Sequence, residues 1–287
     1  MTPPDLPPLR EVIRKHDLKA RKSLGQHFLL DSNLTGRIVR AAGDLTGYHV
    51  IEVGPGPGGL TRALLESPAL TVTVLEKDHR CLSIMAELKN AFGNRLKVVA
   101  GDALKTDIPA LTSPPRKIVA NLPYNLGTPL LLRWLREIEA YRGLTLMFQS
   151  EVADRLIAQP HTKAYGRLSV ITQWLCEVNS AFNIPKEAFT PPPNVTSTVS
   201  NLTPRTSPLC SVSFEALETV TAIAFGKRRK MLRASLKTLN LDLSALEIEP
   251  TRRPEELSVI DFCRLANALV ESRAWPAKSS LKGEFYA

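Results

Sequence analysis

The chain has 287 residues, 44% of them hydrophobic, enough for one large domain with a real core and a smaller second one. Formal net charge is +9, a balance that suits a polyanionic partner or serves solubility alone. No stretch approaches the roughly 18 apolar residues of a membrane span, so a cytoplasmic protein with no membrane partner is expected. The four cysteines (Cys81, Cys176, Cys210, Cys263) lie far apart with no C-x-x-C pair, so neither a zinc site nor a disulfide framework is expected, and a reducing compartment is the simplest setting. The five histidines are equally dispersed, and no metal is expected.

Residues 1–9 are proline-rich and read as extended. The segment 10–22 carries six basic side chains (Arg10, Arg14, Lys15, Lys19, Arg21, Lys22) against two acids, which fits a surface helix or arm. From about residue 48 strands and helices alternate. Val50–Val53 is a short apolar strand followed by a glycine-rich turn, and Leu60–Glu66 reads as a helix stopped near Ser67-Pro68. Leu70–Leu75 is the second strand. Asp78 caps a helix to about Ala91, with Cys81, Ile84, Met85 and Leu88 on one face. Leu96–Ala100 and Lys117–Ala120 are the third and fourth strands. Thr128-Pro129 is expected to start a helix through Trp134 to Ile138. A fifth strand, Leu144–Phe148, precedes helical stretches at 150–158 and 166–176. Val178–Ile184 and Ser197–Leu202 are two later strands, expected to pair antiparallel around a proline-rich loop.

This β-α-β-α order predicts an α/β fold with a Rossmann-like, parallel, doubly wound sheet. Composition shifts at Thr203-Pro204-Arg205-Thr206-Ser207-Pro208, which reads as a linker. Helical patterns at 214–225, 228–239 and 258–272 then predict a small all-helical domain. The expected division is residues 1–203, with the basic arm, and residues 204–287.

The turn Glu52-Val53-Gly54-Pro55-Gly56-Pro57-Gly58-Gly59 opens the first helix, and glycines there let backbone approach a ligand. It satisfies G-x-G-x-x-G, which is open between a nicotinamide cofactor and S-adenosylmethionine. No Lys-Ser or Lys-Thr follows, so a phosphate-cradling loop is excluded. Glu76 ends the second strand, where a carboxylate can accept both ribose hydroxyls of either cofactor. Asp102, in Gly101-Asp102-Ala103 at the third strand's end, can receive an adenine amino group or cap a helix. Glu52 can face a cationic part of a ligand or orient the turn, and a buried acid in a strand is costly unless partnered. At the fourth strand's exit stand Asn121-Leu122-Pro123-Tyr124. The Asn side-chain oxygen and the Leu122 carbonyl can accept from an amine, Pro123 stiffens that backbone, and Tyr124 offers a ring for stacking. A proline turn with a half-buried tyrosine satisfies the same residues. No His or Lys constellation for hydride handling accompanies the turn, which favours methyl transfer to an amine over a dehydrogenase.

The whole chain resembles the rRNA adenine N6,N6-dimethyltransferase family, in its small-subunit KsgA/RsmA branch. The matching residues are Lys22-Ser23-Leu24-Gly25-Gln26-His27-Phe28-Leu29, Glu52 to Gly58, Leu75-Glu76-Lys77-Asp78, Gly101-Asp102-Ala103 and Asn121-Leu122-Pro123-Tyr124-Asn125. They continue with Gln149-Ser150-Glu151-Val152-Ala153, Phe189-Thr190-Pro191-Pro192-Pro193-Asn194-Val195, Phe225-Gly226-Lys227-Arg228-Arg229-Lys230 and Arg252-Arg253-Pro254-Glu255-Glu256-Leu257. The resemblance implies S-adenosylmethionine as cofactor, bordered by Gln26, His27 and Leu29. Gly54 would contact its amino-acid part, Glu76 the ribose and Asp102 the adenine, with Glu52, Gly56, Ala103 and Asn121 also counted among the cofactor-binding residues. Asn121 and Leu122 would hold the target amine and Tyr124 would stack on the base, with Phe189 on the base's other face or in the core. The family usually has Asn where His27 stands; an imidazole can also donate a hydrogen bond.

The implied activity is dimethylation of two adjacent adenosines in a 3′-terminal hairpin loop of 16S rRNA during small-subunit biogenesis. The implied partner is small-subunit rRNA in an immature 30S particle, and a monomer suffices. Lys227, Arg228, Arg229, Lys230 and Arg233, with Arg252 and Arg253, are the phosphate-binding candidates, though such runs also serve as solvated faces. The alternatives are a large-subunit (23S) adenine methyltransferase of the resistance type and a non-catalytic assembly or transcription factor on the same fold.

Overall fold

The computed structural model describes residues 6–21, 24–227 and 229–272. The chain forms two compact units, one from Met1–Ala153 with Glu177–Pro204, the other from Asp154–Cys176 with Arg205–Ala287. A single cut at 203/204 therefore misses one segment: residues 154–176 cluster with the later helices. Their partners explain it. Ser169 Oγ donates to the Arg155 carbonyl at 2.5 Å, and Trp174 Nε1 donates to the Cys210 carbonyl at 2.8 Å.

The first unit opens with helix α1 (Leu9–Lys15), the two-residue strand β1 (Phe28–Leu29) and helix α2 (Ser32–Ala41). Sequence patterning located neither β1 nor α2. Asp31 caps α2 by accepting from the Asn33 amide at 2.8 Å. The alternation then follows the predicted order: β2 (His49–Val53), α3 (Gly59–Glu66), β3 (Thr71–Glu76), α4 (His79–Phe92), β4 (Leu96–Ala100), β5 (Arg116–Asn121), α5 (Tyr124–Arg136) and β6 (Leu144–Gln149). Helix α6 (Ser150–Ile157) and helix α7 (Arg167–Leu175) lead to β7 (Cys176–Ile184), β8 (Phe189–Thr190) and β9 (Ser197–Pro204). Helix α5 starts four residues before the expected Thr128, because Pro123 supplies the start: its carbonyl accepts from the Leu126 and Gly127 amides. Pro129 thus lies inside the helix, where it has no N–H to give to the ladder.

The seven-stranded sheet has the order β4-β3-β2-β5-β6-β9-β7. Strands β4, β3, β2, β5 and β6 run parallel, and β9 joins β6 antiparallel, with Leu144 opposite Leu202. The parallel strands are continuous apolar runs because helices cover them: Val50, Ile51, Val72, Val74, Ile118 and Val119 are all fully buried. The core face of α4 is the predicted one, with Cys81, Ile84, Met85 and Leu88 packed beside Leu60 and Leu64 of α3. Truncating a fully buried leucine such as Leu64 to Ala costs about 2–5 kcal/mol. Strand order reverses between β2 and β5, so the carboxyl ends of β2 to β5 open a crevice there. A separate two-stranded sheet pairs β1 with β8 antiparallel, Leu29 opposite Phe189.

The second unit holds α8 (Phe214–Gly226), the short α9 (Leu232–Ser235) and α10 (Val259–Glu271), and Phe225 of α8 packs against Phe262 of α10 and Tyr165, with ring centroids 5.3 and 6.1 Å apart. The helix expected over 228–239 is reduced to α9 and a single 3-10 turn, Lys237–Leu239. The expectation of no disulfide is corrected here: Cys210 and Cys263 are bridged, with Cα atoms 6.6 Å apart. They lie 53 residues apart, a spacing that carries no signal, and folding alone brings them together. No described helix is long and apolar enough to cross a membrane. Among the described residues no cluster of His, Cys, Asp or Glu gathers as a metal site.

Candidate active site

The crevice is built from strand exits. At the end of β2, Gly54 takes φ +71° and its amide donates to the Leu75 carbonyl at 3.0 Å, turning the chain tightly over β3. At the start of α3, a Cβ on Gly59 would lie 2.5 Å from the Leu29 carbonyl oxygen, so β1 lies directly against this turn. Glu52 is 1% exposed and lines the crevice, and it accepts from Thr61 Oγ1 at 2.6 Å. Burial pushes its carboxyl up to about 8, against the lowering effect of the Thr61 bond and with a smaller push from Glu76.

Glu76 ends β3 and is nearly buried. Its Oε1 accepts from the Lys77 and Asp78 amides, each at 2.7 Å, and its Oε2 from the Gly56 amide at 3.3 Å. Burial raises its pKa, and these amides oppose the rise. The amides hold the carboxylate in place; Oε1 has both its lone pairs engaged, and Oε2, with one bond, keeps a lone pair for a further donor. Next to it Asp78 caps α4 and gathers a network. Gln26 Nε2 donates to Asp78 Oδ2 at 2.9 Å, and Arg80 Nη2 donates to the same oxygen at 2.6 Å. Gln26 Oε1 accepts from the Arg21 amide at 2.9 Å, and Arg80 Nη1 reaches the Lys19 carbonyl at 2.9 Å. The Arg80 bond, above all, holds the Asp78 carboxyl down at about 2. Gln26 borders the crevice as expected, but its amide is engaged with protein groups, so it fastens the segment before β1.

Asp102 follows β4. Its Oδ2 accepts from Lys77 Nζ at 2.8 Å and its Oδ1 from the Leu104 amide at 3.0 Å. The Lys77 bond, then the Leu104 amide, lower its pKa, so it stands charged at the crevice. It thus also caps the following turn. Arg133 of α5 donates to the Ala103 and Thr106 carbonyls, at 3.1 and 2.6 Å, which fixes this loop.

Asn121 ends β5, and Leu122 behind it is 2% exposed. Asn121 Nδ2 donates to the His27 carbonyl at 3.4 Å, an orientation that leaves Oδ1 as the free acceptor. Tyr124 begins α5, and its hydroxyl shares a 2.7 Å hydrogen bond with Ser197 Oγ of β9. Burial raises the Tyr124 pKa. His27 Nδ1 lies 2.7 Å from the Pro191 carbonyl. The structure does not bring Phe189 into the crevice: it is 3% exposed, sits in the core with Phe28 and Leu29, and is held there by the β1–β8 pairing.

Gln26, His27, Leu29, Glu52, Gly54, Gly56, Glu76, Asp102, Ala103, Asn121, Leu122, Pro123 and Tyr124 all line one cavity of about 1020 Å³, its open mouth included. Its chemistry fits S-adenosylmethionine. A glycine turn lets backbone approach a ligand closely, a braced carboxylate can accept from a diol, a charged carboxylate can accept from an amine, and Leu75, Ala103 and Leu126 supply apolar wall.

The second unit carries the predicted basic residues. Lys227, Arg229, Lys230, Arg233 and Arg253 are exposed; Arg228 lies outside the described residues, as do Lys22 and Ser23. The two basic segments are joined: the Leu232 amide donates to the Arg252 carbonyl at 2.8 Å and the Arg233 amide to the Pro250 carbonyl at 3.0 Å. Arg252 is the exception, since its guanidinium donates to the Glu256 carbonyl and faces Asp261 at 3.9 Å. Its guanidinium is thus engaged within the unit.

Sequence reasoning missed Arg80, Lys77, Arg133 and Ser197. Arg80 and Lys77 had a visible signal in the charged run around Asp78; Arg133 and Ser197 had none, because their partners are distant in sequence.

The profile of the ribosomal RNA adenine dimethylase family matches residues 17–271. The chain is 60% identical over 268 residues to "Ribosomal RNA small subunit methyltransferase A" of Paramagnetospirillum magneticum, covering 92% of this chain and 95% of that one. It is 56% identical to the protein of the same name from Rhodospirillum rubrum, covering 93% and 94%. A solved dimethyladenosine transferase from Plasmodium falciparum aligns with TM-score 0.72 at 27% identity, over 83% of this chain and 96% of that one. The 23S rRNA methyltransferase ErmE aligns with TM-score 0.62 at 26% identity, over 85% and 99%. With the glycine turn, the strand-end carboxylates and Asn121-Leu122-Pro123-Tyr124 gathered in one crevice, and relatives of this closeness along nearly the whole length, the chain belongs to the ribosomal RNA adenine dimethylase family.

Proposed function

We propose that this protein transfers methyl groups from S-adenosylmethionine to the N6 amines of adenosines in small-subunit rRNA, twice at each of two adjacent adenosines in a 3′-terminal hairpin loop of 16S rRNA, during assembly of the small subunit. The observation that carries the reading is the convergence of Glu76, Asp102 and Asn121–Tyr124 on a single cavity. The cofactor is S-adenosylmethionine, and it supplies a methyl group already activated on a sulfonium. Glu76 would hold the ribose, Asp102 the adenine amine, and Gly54 and Gly56 the amino-acid part. Asn121 Oδ1 and the Leu122 carbonyl would accept from the target amine. An arylamine lone pair is delocalised into its ring, and two acceptors placed out of that plane favour a pyramidal, nucleophilic nitrogen. Tyr124 would stack on a base splayed from its loop. A single chain contains every residue this mechanism uses, so a monomer suffices. Lys227, Arg229, Lys230, Arg233 and Arg253 would contact RNA phosphates.

The small-subunit reading is favoured over the 23S type because the relatives at 56–60% identity carry the small-subunit name, whereas ErmE stands at 26%. The test is methyl transfer from labelled S-adenosylmethionine to immature small and large ribosomal subunits, with nucleoside analysis. Dimethyladenosine in small-subunit RNA supports the reading. Label only in the large subunit moves the protein to the 23S type. No label with cofactor bound points to an assembly factor.

A further inference from the structure

The Tyr124 ring is held at two places. Its hydroxyl is bonded to Ser197 Oγ at 2.7 Å, and Ser197 is fully buried on β9. The hydroxyl lies on the ring's own axis, so this bond fixes where the ring points but leaves it free to rotate about that axis. Rotation is restrained by the second contact: the His27 imidazole stacks on the ring, with centroids 5.4 Å apart and planes 29° apart. His27 is itself fixed. A carbonyl can only accept, so the 2.7 Å contact from Nδ1 to the Pro191 oxygen places a proton on Nδ1. The His27 carbonyl accepts from Asn121 Nδ2. Phe189 is sealed in the core and gives no second ring.

We propose that His27 and Ser197 are positioning residues that fix the Tyr124 ring, so that an acceptor base has one ring face on which to stack, with its amine set against Asn121. The inference rests on the reading of Asn121–Tyr124 as the acceptor site. It gives His27 a role on the acceptor side of the crevice, beyond bordering the cofactor, and assigns a role to Ser197, which does not line the cavity.

The test combines kinetics with a readout independent of turnover. Methyl transfer to immature small subunits is measured for wild type, Ser197→Ala, Ser197→Thr, Tyr124→Phe and the Ser197→Ala/Tyr124→Phe double variant. Ser197→Ala and Tyr124→Phe each lower kcat about tenfold with KM for S-adenosylmethionine unchanged, the double variant is no worse than either, and Ser197→Thr recovers activity. His27→Ala loses a similar factor, and His27→Phe, which keeps a ring, recovers more kcat than His27→Asn, which keeps only a donor. A double variant as slow as the product of the singles, or full recovery by Asn and none by Phe, overturns the proposal. In parallel the protein is labelled with fluorotyrosine, and the Tyr124 resonance is assigned by its loss in Tyr124→Phe. That resonance shifts in Ser197→Ala and in His27→Ala without RNA present; an unmoved resonance in both overturns the clamp. Absence of methyl transfer by the wild type would overturn the proposed function, while the resonance still decides whether the ring is clamped.

Discussion

Gln26 donates from its side-chain amide to the buried carboxylate of Asp78 at 2.9 Å, joining residues 52 apart in the sequence. The bond fastens the segment before β1 to the capped start of α4, beside the carboxylate of Glu76. Gln26→Ala should therefore weaken S-adenosylmethionine binding by about tenfold, the cost of one hydrogen bond to a charged group, with kcat at saturation nearly unchanged. Calorimetric titration of cofactor measures this, and unaltered affinity would show the tether to be dispensable.

Asn121→Ala removes the acceptor at the end of β5 and the donor to the His27 carbonyl. Methyl transfer should fall by about a hundredfold or more, while cofactor still binds. Normal turnover by this variant would sink the amine-holding role.

The Glu52 carboxyl titrates at about 8 in the folded protein against 4.5 as its ordinary value. Between these values the folded state holds a proton that the unfolded state has released. Stability should thus fall as pH rises through this window and level off above about 8. Glu52→Gln should flatten that part of the profile. Urea unfolding of both proteins across the window checks this, and equal slopes would refute it.

Asp78 has the opposite sign. Its carboxyl is held at about 2, so the stability it contributes is present above its ordinary 3.8 and lost as pH falls through about 2. Arg80→Ala removes the main cause and should make acid unfolding begin at higher pH, read by circular dichroism.

The basic residues of the second unit separate into two kinds. Replacing exposed Lys227, Lys230 and Arg233 together with Ala should reduce the slope of log affinity against log salt for small-subunit RNA by about 2 to 3, with stability unchanged. Arg252→Ala should instead lower the unfolding temperature, since its guanidinium serves Glu256 and Asp261. A reduced salt slope for Arg252→Ala without loss of stability would reverse that assignment.

The sequence by itself determined the alternating order of strands and helices, the Asp78 cap, and the placing of Gly54, Glu76, Asp102 and Asn121 at strand exits. Those are local signals: apolar runs, caps and turn residues act within a few positions of the chain, and strands of one parallel sheet bring their carboxyl ends to one edge. Tertiary structure decided the rest. It placed Phe189 in the core by pairing β8 with β1, a two-residue strand too short to leave a pattern. It started α5 at Tyr124, behind Pro123, when Thr128-Pro129 offered the same local signal. It joined Cys210 to Cys263, engaged Arg252 with Glu256 and Asp261, set Arg133 on the loop after β4 and put Ser197 against Tyr124. Each of these pairings joins groups remote in sequence or chooses between equal local signals, and only the packed chain settles which partner a side chain finds.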